Sequence, residues 1–199
     1  SLVAPFRDRN FSVVWSSRLL IATGYTFVSM YLLFFITDAL DGAWGSPERF
    51  HALMTGVGFA GVVSVTALVA VFGKKVIDRQ SFALAGAIVL FVATALLSAS
   101  SNGLFAVVAF AAYGLGQGAY GSVEMGLMAD ALPSAEDRGR DMGLNNLAVT
   151  LPQAVAPLAA LILTTTGADV RALYVAASAC FVGAVVVLAL FRRPAVPKL

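Results

Sequence analysis

The stretch YGLGQGAYGSVE, residues 113–124, decides how the chain folds, because it lies inside the apolar run Leu104–Met128. A run of this length can cross a bilayer, which needs about 20 apolar residues in a helix. Polar residues at helical spacing share one face of that helix, and they are Tyr113, Gln117, Tyr120 and Glu124.

Glu124 is then a carboxylate in hydrocarbon, which costs roughly 2.5–3.5 kcal/mol near the centre of a span. Because of this cost, we expect the polar face to meet a partner helix or a water-filled cavity and to have a function there. The alternative is a residue near the end of its span that reaches headgroup water.

The composition identifies a membrane protein. Of the 199 residues, 59% are hydrophobic and only 12% are charged, with a mean hydropathy of +0.87. Soluble domains carry about 25% charged residues, so a soluble fold is excluded. The single cysteine, Cys180, cannot form an internal disulfide and is interpreted as a packing residue. The chain begins at Ser1 without a signal peptide, which indicates a processed or partial sequence.

Apolar runs predict an all-α membrane protein that is one six-helix transmembrane domain over residues 1–199. The six spans are predicted at residues 11–36, 50–72, 82–99, 104–128, 142–166 and 170–191. Most of the 13 Lys and Arg residues lie at the termini and in the loops after the second and fourth spans, whereas Arg49 and Arg171 lie on the other side. The positive-inside rule therefore places both termini in the cytoplasm, and we expect a bacterial plasma membrane.

Arg18 lies in the first span at a depth similar to that of Glu124, about 10 Å from the same side. Three arrangements of Arg18 are open: an ion pair with Glu124, extension of its long stem to the headgroups, or direct contact with a solute. In a cavity of low dielectric, Glu124 binds a proton more readily, and Arg18 opposes this. A solute that disturbed the pair would thereby couple its own binding to protonation, so the two residues are the predicted coupling pair.

Aromatic faces suit sugar rings, and amide side chains both donate and accept hydrogen bonds. These chemistries predict a path for a small polar solute. The predicted path residues are Tyr25, Tyr113, Gln117 and Tyr120, followed by Asn146 and Gln153 in the fifth span.

The glycines of GLGQGA, residues 114–119, resemble a dinucleotide-binding fingerprint, but that fingerprint must follow a strand and open a helix. Here the glycines lie within a span. Gly114 and Gly118 therefore predict close helix packing, with local bending as the alternative.

Enzyme signatures are absent from the sequence. With one histidine and one cysteine it cannot assemble a metal cluster, and it contains neither H-E-x-x-H nor G-x-S-x-G. His51, at the mouth of the second span, is predicted to be a solvated end residue, with a proton carrier as the alternative. We expect no enzymatic activity, no cofactor and no nucleic-acid partner.

Four segments together resemble a known family. Gly73, Asp78 and Arg79 are similar to the G-x-x-x-D-R-x-G-R-R loop of the major facilitator superfamily, with Gln80 and Ser81 in place of its basic tail. A second charged loop follows the fourth span and contains Asp130, Arg138 and Arg140. NNLAVTLPQ at residues 145–153 opens the fifth span, and RDRNF at residues 7–11 opens the first.

In this combination the chain resembles the C-terminal half of a major facilitator superfamily transporter, and it is most similar to the glycoside–pentoside–hexuronide and sucrose-type cation symporters. The resemblance implies a parent with two six-helix halves, each a 3+3 inverted repeat, of which the N-terminal half is missing here. It also implies that the first and fourth spans line a cavity.

The predicted function is therefore that of a secondary active transporter half that moves a small polar solute, a sugar, with a proton as the coupling ion. Its partners are the solute, the lipid bilayer and the missing N-terminal half. Two alternatives stay open: a drug or metabolite exporter of the same fold, and a six-span scaffold protein that transports nothing.

Overall fold

The computed structural model describes residues 4–40, 45–72, 78–131 and 138–191, without the side chains of residues 4, 138–142, 160, 163 and 164. These residues form an all-helical structure, as predicted. A short 3-10 helix, Ala4–Arg7, precedes seven α-helices. They are α1 (Arg9–Met30), α2 (Leu32–Ala39), α3 (Pro47–Phe72), α4 (Arg79–Ala99), α5 (Gly103–Ala131), α6 (Arg138–Thr166) and α7 (Arg171–Ala189).

Several helices begin earlier than the apolar runs, because their N-terminal caps lie in the polar loops. The Asp8 carboxylate accepts a hydrogen bond from the Phe11 N–H at 3.0 Å, and α1 begins at Arg9. The Asp78 carboxylate accepts from the Ser81 N–H at 3.2 Å, and α4 begins at Arg79. Such caps satisfy N–H groups that have no partner inside the helix.

The first span was predicted as one continuous helix, but the structure has two helices there. Helices α1 and α2 meet at Tyr31 with a bend of 54°. Neither proline nor glycine lies at this break, so the local sequence does not mark it. The buried Tyr31 hydroxyl donates to the Ala156 carbonyl of α6 at 2.6 Å, which fixes the break to a helix far along the chain.

Four described helices, α3, α4, α5 and α7, are long and apolar enough to cross a membrane. The bent pair of α1 and α2 makes five if it is counted as one broken span. Part of α6 lies outside the described side chains. The six-span count and the inverted repeat therefore stay predictions.

Helix α5 is central to the packing. It lies between α3 and α4, and it also contacts α1, while α7 packs against α1 and α4 and α6 packs against α1. The end of the bundle where α1 begins and α7 ends is called the terminal end below, and the other is the opposite end. At the terminal end the Gln80 amide donates to the carbonyls of Leu188 and Phe191, both at 3.1 Å. The contact between α1 and α5 places the polar faces of these two helices side by side.

Arg171 connects three helices, α2, α4 and α7, at the opposite end of the bundle. Its guanidinium donates to the Ala39 carbonyl of α2 at 2.6 Å and to the Ser98 carbonyl of α4 at 2.8 Å, and it lies 5.9 Å from the centre of the Phe35 ring. A cation at helix C-termini satisfies carbonyls that have no partner inside their helices.

We expect Arg171→Gln to lower the free energy of unfolding by about 1.5–3 kcal/mol, because the chain loses charged hydrogen bonds to partly buried carbonyls. Chemical unfolding in bicelles measures the change. The exposed Arg49, replaced by glutamine, is the matched control and is expected to change little. Equal effects of the two substitutions would contradict the bridging role of Arg171.

Candidate functional site

Arg18 of α1 and Glu124 of α5 form an ion pair. The distance from Arg18 Nε to Glu124 Oε1 is 3.3 Å, and the side chains are 11% and 23% exposed. Of the three arrangements expected for Arg18, the structure therefore has the pair. Arg18 Nε is buried and makes no well-directed hydrogen bond, while Nη1 lies 3.7 Å from the Met125 sulfur. The charges compensate each other, but the hydrogen bonding of the guanidinium is incomplete.

Tyr120 lies one helical turn before Glu124 and is only 1% exposed. Its hydroxyl interacts with the charges of Arg18 and Glu124 and with Ser17 of α1. Polar side chains of α1 and α5 thus alternate around the ion pair.

Tyr25 of α1 and Tyr113 of α5 form an aromatic cluster deeper in the bundle. Their ring centroids are 6.1 Å apart with the planes nearly perpendicular, and Phe110 stacks on Tyr113 at 5.2 Å. Phe181 of α7 packs against both tyrosines. The cluster joins α1, α5 and α7.

The hydroxyls of Tyr25 and Tyr113 are both buried without a hydrogen-bond partner among the described residues. Ser29 interacts with the Tyr113 hydroxyl, but not in hydrogen-bond geometry. A buried unpaired hydroxyl costs about 1–3 kcal/mol. We therefore expect water or a bound solute to supply the missing partners.

A cleft of about 410 Å³ opens between α1, the start of α2, α3 and α5. Its size is within the range of sites for small molecules, roughly 300–1,000 Å³. The lining residues are Ser29, Leu32, His51, Thr55, Gly58, Phe59, Val62, Phe110, Tyr113 and Gln117. None of them is a carboxylate, a lysine or an arginine, so the cleft offers neutral hydrogen-bonding groups, aromatic faces and one imidazole.

The predicted path residues separate into three groups. Tyr113 and Gln117 line the cleft, whereas Tyr25 and Tyr120 are not among its lining residues and lie between α1 and α5. Asn146 and Gln153 are exposed on α6 and do not line the cleft.

Sequence reasoning missed the contribution of α3 to the cleft. His51, predicted as a solvated end residue, is half-buried in the lining, and Thr55 follows it one turn later. Ser29 completes the polar part of the lining from α1. The spacing of His51 and Thr55, and that of Tyr25 and Ser29, is the signal that marks these faces.

At the terminal end, Arg79 of α4 pairs with Asp130 of α5. Arg79 Nη1 lies 2.8 Å from each carboxylate oxygen, and the side chains are 52% and 41% exposed. A pair this exposed contributes about 0–1 kcal/mol to stability. Its effect is to connect the two helix ends. Gly73 and the side chains of Arg138 and Arg140, which belong to the same predicted loop motifs, lie outside the described residues.

The glycines of α5 pack against two neighbouring helices. A Cβ on Gly114 would overlap the Gly58 backbone of α3, and one on Gly118 would lie 2.8 Å from the Val62 carbonyl oxygen. On the other side, a Cβ on Gly116 would lie 2.9 Å from the Leu90 N of α4. The close-packing interpretation of these glycines is confirmed.

Among the residues that the structure describes, no cluster of His, Cys, Asp or Glu has the geometry to hold a metal ion. A family model described as Major Facilitator Superfamily matches residues 14–199 of the chain. The comparison with curated proteins gave no match.

Proposed function

The chain belongs to the Major Facilitator Superfamily, and from this premise we propose that it is the C-terminal half of a secondary transporter that moves a sugar together with a proton. Members of this family carry small solutes across lipid bilayers, so the chain is an integral membrane protein. The proposal includes an N-terminal six-helix half that completes the carrier, a bacterial plasma membrane, and cytoplasmic termini at the terminal end of the bundle.

The sugar is supported by the chemistry of the cleft. Tyr113 and Phe110 present aromatic surface, and Gln117, Thr55 and Ser29 offer neutral donors and acceptors. A sugar ring has apolar C–H faces and a rim of hydroxyls, and this combination matches both kinds of group. A strongly charged solute finds no permanent counter-charge in this lining.

Proton coupling is supported by the Arg18–Glu124 pair, which is the observation that carries the proposal. The pair lies at the contact of α1 and α5, the two helices that the family resemblance assigns to the cavity. When the helices shift and Arg18 moves away, Glu124 is left in a low-dielectric environment and takes up a proton. Protonated Glu124 carries no charge, so it needs no ion-pair partner while the helices change their arrangement.

The test is Glu124→Gln in the full-length protein, reconstituted into proteoliposomes with an inward proton gradient. The probes are radiolabelled glucose, xylose, melibiose and sucrose. We expect the parent to accumulate at least one of these above its external concentration and the variant to stop at the external concentration, because an amide cannot take up the proton. Exchange of the same sugar between equal concentrations is expected to continue.

Glu48→Gln is the matched control, since Glu48 is an exposed carboxylate at the start of α3. It is expected to accumulate sugar as the parent does. Undiminished accumulation by Glu124→Gln would rule out the coupling role. If the protein instead lowers the internal concentration of preloaded dyes and transports none of the sugars, the exporter alternative holds.

A further inference from the structure

The cleft and the ion pair are separated along the bundle. Gln117, the lining residue of α5 nearest to Glu124, lies seven residues before it, which is about 10 Å along the helix. Tyr113 lies about 16 Å from Glu124 by the same measure. Solute and proton therefore bind at different places, and a proton that enters from the cleft has to cross this interval.

Three tyrosines occupy the interval: Tyr113 and Tyr120 are buried, and Tyr25 is half-buried with a buried hydroxyl. In order from the cleft to the pair they are Tyr113, Tyr25 and Tyr120, which alternate between α5 and α1. Tyr113 lines the cleft, and its ring centroid is 6.1 Å from that of Tyr25. The series of hydroxyls thus begins at a residue that lines the cleft, although the Tyr113 hydroxyl itself is buried.

Electrostatic interactions also connect these groups. The Tyr25 hydroxyl interacts with those of Tyr113 and Tyr120 and with Glu124. That of Tyr120 interacts directly with the charges of Glu124 and Arg18. The described titratable groups that interact with Glu124 are therefore Arg18 and Tyr25 of α1 and Tyr120 of α5, while Arg79 of α4 is paired with Asp130 nearer the end of the helix.

The first two hydroxyls of the series, those of Tyr113 and Tyr25, have no hydrogen-bond partner among the described residues. The buried hydroxyls of Tyr31 and Tyr174 differ, because they donate to the backbone carbonyls of Ala156 and Val28. A hydroxyl can donate and accept at the same time, and buried unpaired ones are commonly bridged by ordered water. The donor and acceptor capacities of Tyr25 are thus available for a chain of water and hydroxyl groups, and so is the capacity of Tyr113 that Ser29 does not engage.

We propose that the hydroxyls of Tyr113, Tyr25 and Tyr120, bridged by water, form a path along which protons move between the cleft and Glu124. The inference rests on the proposed proton coupling. A hydronium ion in the cleft supplies the proton and becomes water. Each oxygen on the path forms a new O–H bond on the cleft side as its original O–H bond breaks on the other side. The last proton binds to a Glu124 oxygen, every tyrosine ends neutral, and nothing is oxidised or reduced.

The experiment follows protonation of Glu124 directly, so that it does not depend on knowing the solute. The full-length protein is placed in proteoliposomes with one orientation, and the medium on the side where the cleft opens is acidified rapidly. Time-resolved infrared absorption detects the protonated carboxyl of Glu124, which is assigned by its absence in Glu124→Gln. Tyr25→Phe and Tyr113→Phe remove single hydroxyls from the path and keep the rings.

We expect the Glu124 signal to form at least ten-fold more slowly in Tyr25→Phe and in Tyr113→Phe than in the parent. Tyr31→Phe is the matched control, because it removes a buried hydroxyl outside the path, and it is expected to keep the parent rate. Acidifying the other side is expected to give the same rate in all of these proteins.

Parent rates in both tyrosine variants would overturn the path and leave the coupling role of Glu124 intact. A Glu124 signal that forms only after acidification of the other side would also overturn it. If the parent shows no Glu124 protonation from either side, the proposed coupling itself fails. If the hydroxyls serve to bind sugar instead, the protonation rates stay unchanged while exchange of the sugars slows.

Discussion

Replacing Arg18 by alanine is expected to lower the free energy of unfolding by about 3–5 kcal/mol, because Glu124 would be left as a largely buried charge without compensation. The Arg18 guanidinium is its only ion-pair partner among the described residues. Both side chains are less than one quarter exposed, so solvent screens the interaction only in part. Urea unfolding in bicelles measures the loss, followed by fluorescence in a Trp44→Phe background, which leaves Trp15 as the tryptophan of the chain. Trp15 is a suitable probe, since it donates to the Leu144 carbonyl and links α1 to α6.

The double variant of Arg18→Ala and Glu124→Gln separates the charge effect from lost packing. Neutralising Glu124 removes the uncompensated charge, and we expect the double variant to recover most of the stability. Glu124→Gln alone should cost less than Arg18→Ala, because the long arginine stem can carry its charge towards water. Additive losses in the double variant would show that the two residues do not act as a pair.

Replacing Gly114 by alanine is expected to destabilise the bundle by about 3 kcal/mol, the upper part of the usual range for overpacking. The added methyl group meets the backbone of Gly58, and a backbone cannot turn aside as a flexible side chain can. Helices α3 and α5 must therefore move apart, and the cleft that they line changes shape. Thermal unfolding in detergent, with the yield of monodisperse protein, measures the effect.

Gly121→Ala is the matched control on the same helix. A Cβ at Gly121 meets nothing within 4 Å, and alanine is favoured over glycine within a helix by about 1 kcal/mol. We expect this variant to be as stable as the parent or slightly more stable. Equal behaviour of the two alanine variants would mean that the contact between α3 and α5 at Gly58 adapts easily.

The sequence predicts features that depend on one helix and misses those that depend on several. Helical spacing was sufficient to place Tyr113, Gln117 and Glu124 on one face, and the depths of Arg18 and Glu124 were sufficient to suggest a pair. The part of the site contributed by α3 was not predicted, because periodicity does not reveal which face of α3 meets α5. His51 therefore looked like an end residue, although it lines the cleft.

The break at Tyr31 and the bridge made by Arg171 show the same limit. Each depends on a partner more than 70 residues away, Ala156 for Tyr31 and Ser98 for Arg171. From the sequence alone, Tyr31 continues an apolar run and Arg171 is a flanking charge. Asn146 and Gln153 share the predicted helical spacing, and their face of α6 is exposed in this chain, so their place in the solute path stays a prediction.

The two kinds of helix contact around α5 have a mechanical consequence. Glycines bring the backbone of α5 into direct contact with the backbones of α3 and α4, so sliding of these helices along each other would cause backbone clashes. We expect α3, α4 and α5 to move as one rigid unit. The contact of α5 with α1 is built from charges and ring edges, which have several nearly equivalent arrangements, so we expect the easier movement of α5 to be at the boundary where the acid and the base meet.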